Sequence, residues 1–305
     1  MTFKEIIAEF KKNKFLYGMM IPTIIWILIF CYIPMTGIVI AFKDFSYMDG
    51  IFGSKWCGFK NFEFMFRSNA ILNIAFNTIY LNVLFILFGT IMSVFLALMF
   101  VEIKNSYIKR ITQSIAILPH FISWALVSIF LVAFLNDNGI VNGVIKAFGM
   151  DGINFYTNPN YWRSILVILK IWQGAGFGTV IYVAAITGLD AEMYEAAKID
   201  GATRLQQITK ITLPMLKSTI ILLTIMSVGK IFNGDFGMIY ALVGDNSFLY
   251  PTVDVIDTYV YRALRQLGDY GMSMAVSLFQ SVIGLILVLL TNALVKKIEP
   301  ESAML

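Results

Sequence analysis

The sequence predicts an all-α, polytopic integral membrane protein with about six transmembrane helices. Hydrophobic residues make up 58% of the chain and charged residues 14%, whereas soluble domains average roughly 45–50% apolar and 25% charged residues. The mean hydropathy is +0.77. Six stretches approach or exceed the roughly 20 apolar residues that a helix needs to cross a bilayer. In chain order they are Tyr17–Phe42, Ala70–Phe100, Ile111–Leu135, Ser164–Thr187, Thr219–Val243 and Met272–Val295.

The first stretch has to be distinguished from a signal peptide, because Lys11, Lys12 and Lys14 lie at its start. Its apolar run extends to Phe42, which is too long for the apolar core of a signal peptide, and no small-residue cleavage site follows it. We therefore expect a retained helix. Where a stretch exceeds 20 residues, we expect the helix to tilt or to continue beyond the lipid.

The third and fourth stretches contain residues that could be mistaken for functional motifs. His120 lies near the start of the third stretch. We expect its imidazole to find hydrogen-bond partners between helices and to have no catalytic role. Gly174, Gly176 and Gly178 are spaced like a phosphate-binding loop, but no Lys-Ser or Lys-Thr pair follows them. Small residues in a membrane helix favour close packing or a bend, which is what we expect here.

Between the fifth and sixth stretches lies a shorter amphipathic segment, residues 251–267. Val253, Ile256, Val260 and Leu264 recur there at helical steps. The pattern predicts a short helix at the outer face of the membrane.

The sequence lacks the motifs of a soluble or membrane-embedded enzyme. It contains no nucleotide-binding G-x-x-x-x-G-K-[S/T] motif and no recognisable hydrolase or metalloprotease motif. Cys31 and Cys57 are too few for a disulfide framework, and a single histidine offers little for a metal. We predict no catalytic residue, no metal site and no cofactor bound by this chain. Any energy must come from another polypeptide or from an ion gradient.

The distribution of Lys and Arg predicts the orientation. With the N-terminus inside, the inner segments hold thirteen Lys and Arg residues, and the outer loops hold eight over a longer total length. This bias favours cytoplasmic N- and C-termini. It also accounts for the net charge of +4 without a nucleic-acid partner, and it places the loop at residues 188–214 in the cytoplasm.

That loop is the most patterned polar segment of the chain. We expect two short helices, at 190–200 and 203–212, joined at Gly201, where a glycine suits a left-handed helix cap. Ala196 and Ala197 keep one face of the first helix narrow, and Pro214 can open the helix that follows. The run from the first helix into the turn reads Glu195, Ala196, Ala197, Lys198, Ile199, Asp200, Gly201 and Ala202, and the segment closes with Ile211, Thr212, Leu213 and Pro214.

This run resembles the "EAA" coupling loop of permease subunits in binding-protein-dependent ABC importers. The resemblance implies a type I importer permease fold, with one transmembrane permease domain over residues 1–305 and a cytoplasmic coupling loop at 188–214. It also implies that the loop docks into an ATPase, which would bind ATP and Mg on a separate subunit. The coupling residues implied are Glu195, Ala196, Ala197, Asp200, Gly201 and Pro214.

Two further segments resemble one branch of these permeases. The N-terminal region, at residues 32–35, 37–44 and 56–62, and the segment 254–262 are similar to sugar permeases for complex oligosaccharides and polysaccharide fragments in Gram-positive bacteria, related to maltose-type permeases. The branch implies a plasma-membrane importer with a second, non-identical permease, two ATP-binding subunits and an extracellular lipid-anchored binding protein. The substrate implied is a sugar.

Charges inside the apolar stretches indicate a substrate pathway, because an unpaired charge at membrane depth is costly. Lys170 and Asp235 lie at similar depths in the fourth and fifth stretches, so we predict an ion pair between them. Lys230 is offset from Asp235 by five helical positions, which would place it on a different face, towards the cavity or the sister subunit. Neighbouring side chains that suit a sugar are Trp172, Gln173, Asn233 and Phe236, with Asn77, Asn82 and Trp124 as weaker candidates.

Two alternatives remain at this level. The chain could be an ABC permease for a non-sugar solute, such as a peptide or polyamine. It could instead be an ion-coupled secondary transporter, although the internal repeat with broken helices expected of that class is not visible. The residues alone do not name the sugar or its charge.

Overall fold

The computed structural model describes residues 12–63 and 69–298. The chain is 79% helical, and six of the described helices are long and apolar enough to cross a membrane. The predicted all-α class and the number of spans are therefore confirmed. The six spans are Lys14–Phe42, Ile71–Glu102, Trp124–Ala147, Pro159–Thr187, Arg204–Val228 and Tyr270–Lys297.

The chain divides into two compact units. One takes its residues from Met1–Arg67 and Ala263–Phe279, and the other from Ser68–Arg262 and Gln280–Leu305. The single permease domain over residues 1–305 stays a prediction.

The first unit begins with one continuous apolar helical run. Its elements are α1 (Lys14–Ile27), a π-turn (Leu28–Tyr32), α2 (Ile33–Met35), a 3-10 segment (Thr36–Phe42), β1 (Lys43–Asp44), α3 (Gly50–Gly53), β2 (Lys55–Trp56) and a 3-10 turn (Lys60–Phe62). The two strands pair antiparallel, with Lys43 opposite Trp56. The Lys43 ammonium donates to the carbonyls of Ile51 and Phe52, both at 2.8 Å, which fixes the hairpin against the end of α3.

The second unit carries the residues predicted to be functional. Its helices are α4 (Asn69–Glu102), α5 (Ser106–Ile117), α6 (Trp124–Leu135), α7 (Ile140–Ala147), α8 (Trp162–Thr187), α9 (Ala191–Ile199), α10 (Arg204–Gln207), α11 (Leu213–Val228), α12 (Phe236–Val243) and α13 (Tyr250–Val253). Two more helices, α14 (Ile256–Leu267) and α15 (Tyr270–Ile298), contribute residues to both units. The single short helix predicted over residues 251–267 is wrong as made: α13 ends at Val253, and α14 begins at Ile256.

The predicted third span, Ile111–Leu135, is wrong as a single helix. After α5 the chain makes a 3-10 turn at Leu118–Phe121 and then extends at Ile122. Pro119 lacks the N–H that would continue the helix, and Ser123 starts α6 by accepting the Leu126 N–H at 3.3 Å. The carbonyl freed at Ile122 accepts from the Gln173 amide at 3.0 Å, so the break is satisfied by a neighbouring helix.

The predicted fifth span, Thr219–Val243, is also interrupted. Helix α11 ends at Val228, and helical structure resumes only at Phe236. Gly229 lies against Gly284 and Val288 of α15: a β-carbon built at Gly229 would lie 2.4 Å from a Val288 methyl, and one at Gly284 would lie 2.6 Å from the Gly229 carbonyl. Asp235 then caps α12 by accepting the Met238 N–H at 3.1 Å.

Two apolar cores hold the second unit together. The larger core surrounds Trp162, which is fully buried and donates its indole N–H to the Phe155 carbonyl at 2.7 Å. The smaller core joins Val94, Tyr182 and Leu216, from α4, α8 and α11. Because these two cores fix α4, α8 and α11 against one another, they set the positions of the side chains that project between them.

We expect Gly176→Ala to destabilise the protein markedly. A β-carbon at Gly176 would lie 1.8 Å from the Ala116 carbonyl oxygen, which is backbone and cannot rotate away. Overpacking of this kind costs about 1–3 kcal/mol or more. Gly174→Ala is the matched control, because a β-carbon there meets nothing within 4 Å. The measurement is the thermal unfolding midpoint in detergent; equal midpoints for the two variants would contradict the close packing.

Candidate functional site

The predicted coupling loop contains two helices joined by a well-defined turn, but the second one, predicted as a separate short helix at 203–212, is continuous with α11. Helix α9 starts at Asp190, whose carboxylate accepts the Glu192 N–H at 2.9 Å. It ends in a Schellman motif, in which Gly201 donates to the Lys198 carbonyl at 3.0 Å and Ala202 donates to the Ala197 carbonyl at 2.8 Å. Gly201 has φ +79°, so the predicted left-handed cap is confirmed.

The second helix of the loop is fixed at its own start. Thr203 and Gln206 form a capping box, with the Thr203 N–H donating to the Gln206 side-chain oxygen at 2.7 Å. The helix passes through a π-turn, Ile208–Thr212, directly into α11. Pro214 is therefore the second residue of α11 within a continuous helical run, where its missing N–H is tolerated because the π-turn precedes it.

Two side-chain contacts join the loop to the membrane helices. The Tyr194 and Thr212 hydroxyls are 2.9 Å apart, and the Arg204 guanidinium lies 3.6 Å from the Glu102 carboxylate at the end of α4. A small cavity of about 190 Å³ lies beside both contacts. These contacts tie the loop to the end of α4 and to the start of α11.

The loop presents an exposed face made of apolar and acidic side chains. Ile199 is 87% exposed and Leu205 is 70% exposed, and Glu195, Ala196 and Asp200 are exposed as well. Tyr194 is half-buried, and its hydroxyl contacts Thr212 of its own chain. Lys198 and Arg204 are exposed too, so the surface of the loop combines apolar area with charges of both signs.

A second site is a cavity of about 600 Å³ between α4, α8, α11 and the break after α11. This volume falls within the roughly 300–1,000 Å³ range of ligand pockets. Its lining residues are Asn82, Phe85, Ile86, Gly89, Thr90, Ser93, Lys170, Gly178, Ile181, Tyr182, Leu223, Met226, Ser227, Lys230, Asn233, Gly234 and Asp235.

The cavity contains the predicted ion pair. The Lys170 ammonium donates to the Asp235 carboxylate at 2.6 Å, with the two side chains 35% and 26% exposed. The pair predicted from membrane depth is therefore confirmed. Asp235 has two tasks, since one oxygen pairs with Lys170 while the other caps α12.

Polar side chains from three helices hold the break at residues 229–235. The Asn82 amide of α4 donates to the carbonyls of Ile231 and Asn233, at 3.0 and 3.1 Å. The Gln280 amide of α15 donates to the Phe232 carbonyl at 2.8 Å, and Asp257 of α14 accepts the Gly234 N–H. Backbone groups that leave a helix at membrane depth need such partners, so this wall of the cavity has a fixed shape.

Asp257 and Gln280 were not identified from the sequence. The Gln280 amide also donates to the Asp257 carboxylate at 3.1 Å. Burial raises the pKa of the Asp257 carboxyl above its ordinary value, and the bonds from Gly234 and Gln280 lower it in part. A polar residue inside the last apolar span was the available indication for Gln280.

Of the seven residues predicted to line the pathway, four line this cavity and three lie elsewhere. Lys170, Lys230, Asn233 and Asp235 line the cavity. The prediction that Lys230 and Asp235 lie on different helical faces is wrong, because the chain is not helical between them. The break lets both side chains line the same space.

The other three residues lie elsewhere. Trp172 lines a separate apolar cavity of about 670 Å³ next to α6 and α7. Gln173 is buried and bonded to the Ile122 carbonyl. Phe236 packs against Tyr240 and Tyr261, with ring centroids 5.2 and 4.9 Å apart.

The weaker candidates also have structural partners. Asn77 is fully buried and accepts from Arg163 at 2.7 Å, whereas Asn82 both lines the cavity and holds the break. Trp124 packs against the larger core. Of the three, only Asn82 lies where a ligand could reach it.

Comparison with known proteins identifies the class. Two proteins of Bacillus subtilis are similar over nearly the whole length. The polygalacturonan/rhamnogalacturonan transport system permease protein YteP is 39% identical, covering 98% of this chain and 93% of that protein. Protein LplB is 38% identical, covering 97% and 92%.

Solved structures agree with the sequence relatives. A crystal structure of a bacterial ABC transporter involved in the import of the acidic polysaccharide alginate contains a chain that is 38% identical, with a TM-score of 0.88 and coverage of 97% of this chain and 99% of that one. The family model described as "Binding-protein-dependent transport system inner membrane component" matches residues 86–300. The chain therefore belongs to the family of binding-protein-dependent transport system inner membrane components, the membrane-spanning transport subunits of ABC importers, in which a separate subunit hydrolyses ATP.

Proposed function

We propose that this chain forms half of the translocation pathway of an ATP-driven importer for a sugar, namely an oligosaccharide or polysaccharide fragment delivered by an extracellular binding protein. The observation that carries the proposal is the 39% identity over almost the whole chain to a permease named for polygalacturonan and rhamnogalacturonan transport. The alginate importer, matched over 97% of this chain, points to the same class of substrate.

The lining of the cavity is compatible with a sugar. Sugars present hydroxyl groups that bond to amides and hydroxyls, and C–H faces that pack on aromatic rings. Asn82, Asn233 and Ser227 supply the polar groups. Phe85 and Tyr182 also line the cavity, but both rings are buried in the apolar cores, so Ile86, Ile181 and Leu223 supply most of the apolar surface. The four cavity-lining residues predicted from sequence are proposed as pathway residues; Trp172, Gln173 and Phe236 are not, because they contact other parts of the fold.

The coupling loop at 188–214 is proposed to dock into the ATPase. Ala196 and Ala197 keep α9 narrow enough to enter a groove, and Glu195 and Asp200 can pair with basic or amide groups of the partner. ATP and Mg would bind only to the ATPase subunits. When ATP closes the nucleotide-bound dimer, the loop would move with it and pull on α11 through the continuous helix and on α4 through Arg204.

The proposed assembly contains two related, non-identical permeases, two ATP-binding subunits and an extracellular lipid-anchored binding protein. We place it in the plasma membrane of a Gram-positive bacterium, with both termini of this chain cytoplasmic. The excess of Lys and Arg on the inner segments supports this orientation.

The proposal is tested by affinity purification of this subunit from gentle detergent extracts of its native membrane, with co-purifying proteins identified by mass spectrometry. We expect a second permease and a nucleotide-binding ATPase. Glu195→Ala should release the ATPase while leaving the second permease bound. Recovery of this chain alone or as a homo-oligomer, under conditions where control complexes survive, would contradict the assembly.

A further inference from the structure

The cavity carries an unbalanced positive charge. Its charged lining residues are Lys170, Lys230 and Asp235. Lys170 and Asp235 neutralise each other at 2.6 Å, which leaves Lys230. Among the described residues that line the cavity, Asp235 is the only carboxylate, and it already bonds to Lys170 and caps α12.

The backbone around Lys230 is fixed from both sides. Before it, the Lys230 N–H donates to the Ser227 carbonyl at 3.0 Å. After it, the next three carbonyls accept from Asn82 and Gln280, and Gly234 donates to Asp257. The break therefore presents the lysine at a defined place in the cavity wall, and only the side chain is free to adjust.

Such a lysine suits an anionic group of a ligand. A cation at membrane depth is costly unless it faces water or meets an anion. Asn82, Asn233 and Ser227 line the same cavity with groups that can bond to hydroxyls. A sugar with a carboxylate would satisfy the ammonium, and its hydroxyls would satisfy the amides.

We propose that Lys230 is the residue that makes this importer specific for uronate-containing oligosaccharides, by pairing with a sugar carboxylate as the substrate passes through the cavity. This rests on the proposed function of sugar import and names the substrate class of the same site. Because Lys170 and Asp235 neutralise each other, Lys230 is left as the cation that can pair with a sugar carboxylate, one carboxylate at a time.

The test uses the complete importer in proteoliposomes with its own binding protein. It is offered three-residue oligomers of galacturonate, glucuronate and mannuronate, together with the neutral oligomers of galactose, glucose and mannose. Each acid differs from its neutral counterpart by a carboxylate in place of a hydroxymethyl group. The affinity of the binding protein for each probe is measured separately, and uptake is compared with the binding protein saturated.

We expect an acidic oligomer to be imported. Lys230→Gln should slow its uptake about tenfold, which corresponds to about 1.4 kcal/mol, and Lys230→Arg should keep it within about threefold. Lys297→Gln, which neutralises an exposed lysine at the end of α15, is the matched control and should leave uptake unchanged. Gel filtration of each variant verifies assembly.

Four outcomes would overturn the inference. Import of neutral oligomers only would reject the role of Lys230 and leave sugar import standing. Unchanged uptake of an acidic oligomer in Lys230→Gln would do the same. Loss of assembly in Lys230→Gln, restored by Lys230→Arg, would place the charge in a contact between subunits. Import of no oligosaccharide by a complex with active ATPase would reject sugar import itself.

Discussion

Replacing Gly201 with valine is expected to uncouple ATP hydrolysis from transport. Gly201 has φ +79°, a conformation in which a side chain costs about 1–2 kcal/mol, and a β-branched residue more. The Schellman bonds to Lys198 and Ala197 depend on this conformation, so the turn between α9 and α10 should open. We expect sugar uptake in proteoliposomes to fall at least about tenfold, while ATP hydrolysis becomes independent of the loaded binding protein.

Two controls separate backbone strain from steric effects. A β-carbon at Gly201 meets nothing within 4 Å, so valine does not clash inside this chain. Gly201→Asn should retain most of the uptake, because asparagine tolerates the left-handed conformation. Gly188→Val changes a glycine of the same loop with φ −84°, and should have a small effect. Normal uptake and normal coupling in Gly201→Val would refute the proposed rigid turn.

Breaking the ion pair in the cavity is expected to have the second-largest effect. Lys170→Met leaves the Asp235 carboxylate without its cation, and Asp235→Asn leaves the Lys170 ammonium without its anion while keeping a side chain that can cap α12. We expect each single change to lower the free energy of unfolding by about 1–3 kcal/mol, less than for a fully buried pair because both side chains are partly exposed.

The double variant Lys170→Met, Asp235→Asn separates the energy of the ion pair from the effect of each single substitution. Since it removes both charges, it should recover most of the stability lost by either single variant, and the coupling energy follows from the double-mutant cycle. The exposed pair between Arg204 and Glu102, 3.6 Å apart, is the control, and its cycle should give below about 1 kcal/mol. Additive losses at Lys170 and Asp235, measured by chemical denaturation in detergent, would mean that the pair contributes nothing as a pair.

The parts of the site that the sequence predicts well are those governed by local rules. A glycine after a short helix predicts a left-handed cap at Gly201, and Asp190 and Thr203 are side chains that begin helices. The pair between Lys170 and Asp235 follows from similar depth and opposite charge, since two charges inside a membrane need each other.

The helix breaks could not be predicted in the same way. Hydropathy averages over a whole stretch, so Pro119 before the first break, and Gly229, Lys230 and Asn233 at the second, do not stop either stretch from reading as one span. What permits the breaks is hydrogen bonding from other helices, Gln173 to the Ile122 carbonyl and Asn82 to the Ile231 carbonyl. These partners are 51 and 149 residues away along the chain, so a local pattern carries no information about them.

The breaks also explain the errors in the pathway prediction. With a continuous fifth helix, Lys230 would point away from Asp235; with the break, both line the cavity. Gln173 carries an amide that could bind a sugar hydroxyl, but in the structure this amide donates to the Ile122 carbonyl at the first break. An amide inside a membrane helix can serve either purpose, and only the position of the neighbouring backbone decides which.

The measurement that tests the account most directly is the simultaneous rate of ATP hydrolysis and sugar uptake by the complete importer in proteoliposomes. We expect the loaded binding protein to stimulate hydrolysis. We also expect uptake to require ATP on the side of the membrane that carries the ATPase subunits, and to be insensitive to ionophores that abolish ion gradients. Uptake that continues without ATP and stops when an ion gradient is dissipated would contradict it, since the chain would then draw its energy from a source that leaves the loop at 188–214 without a function.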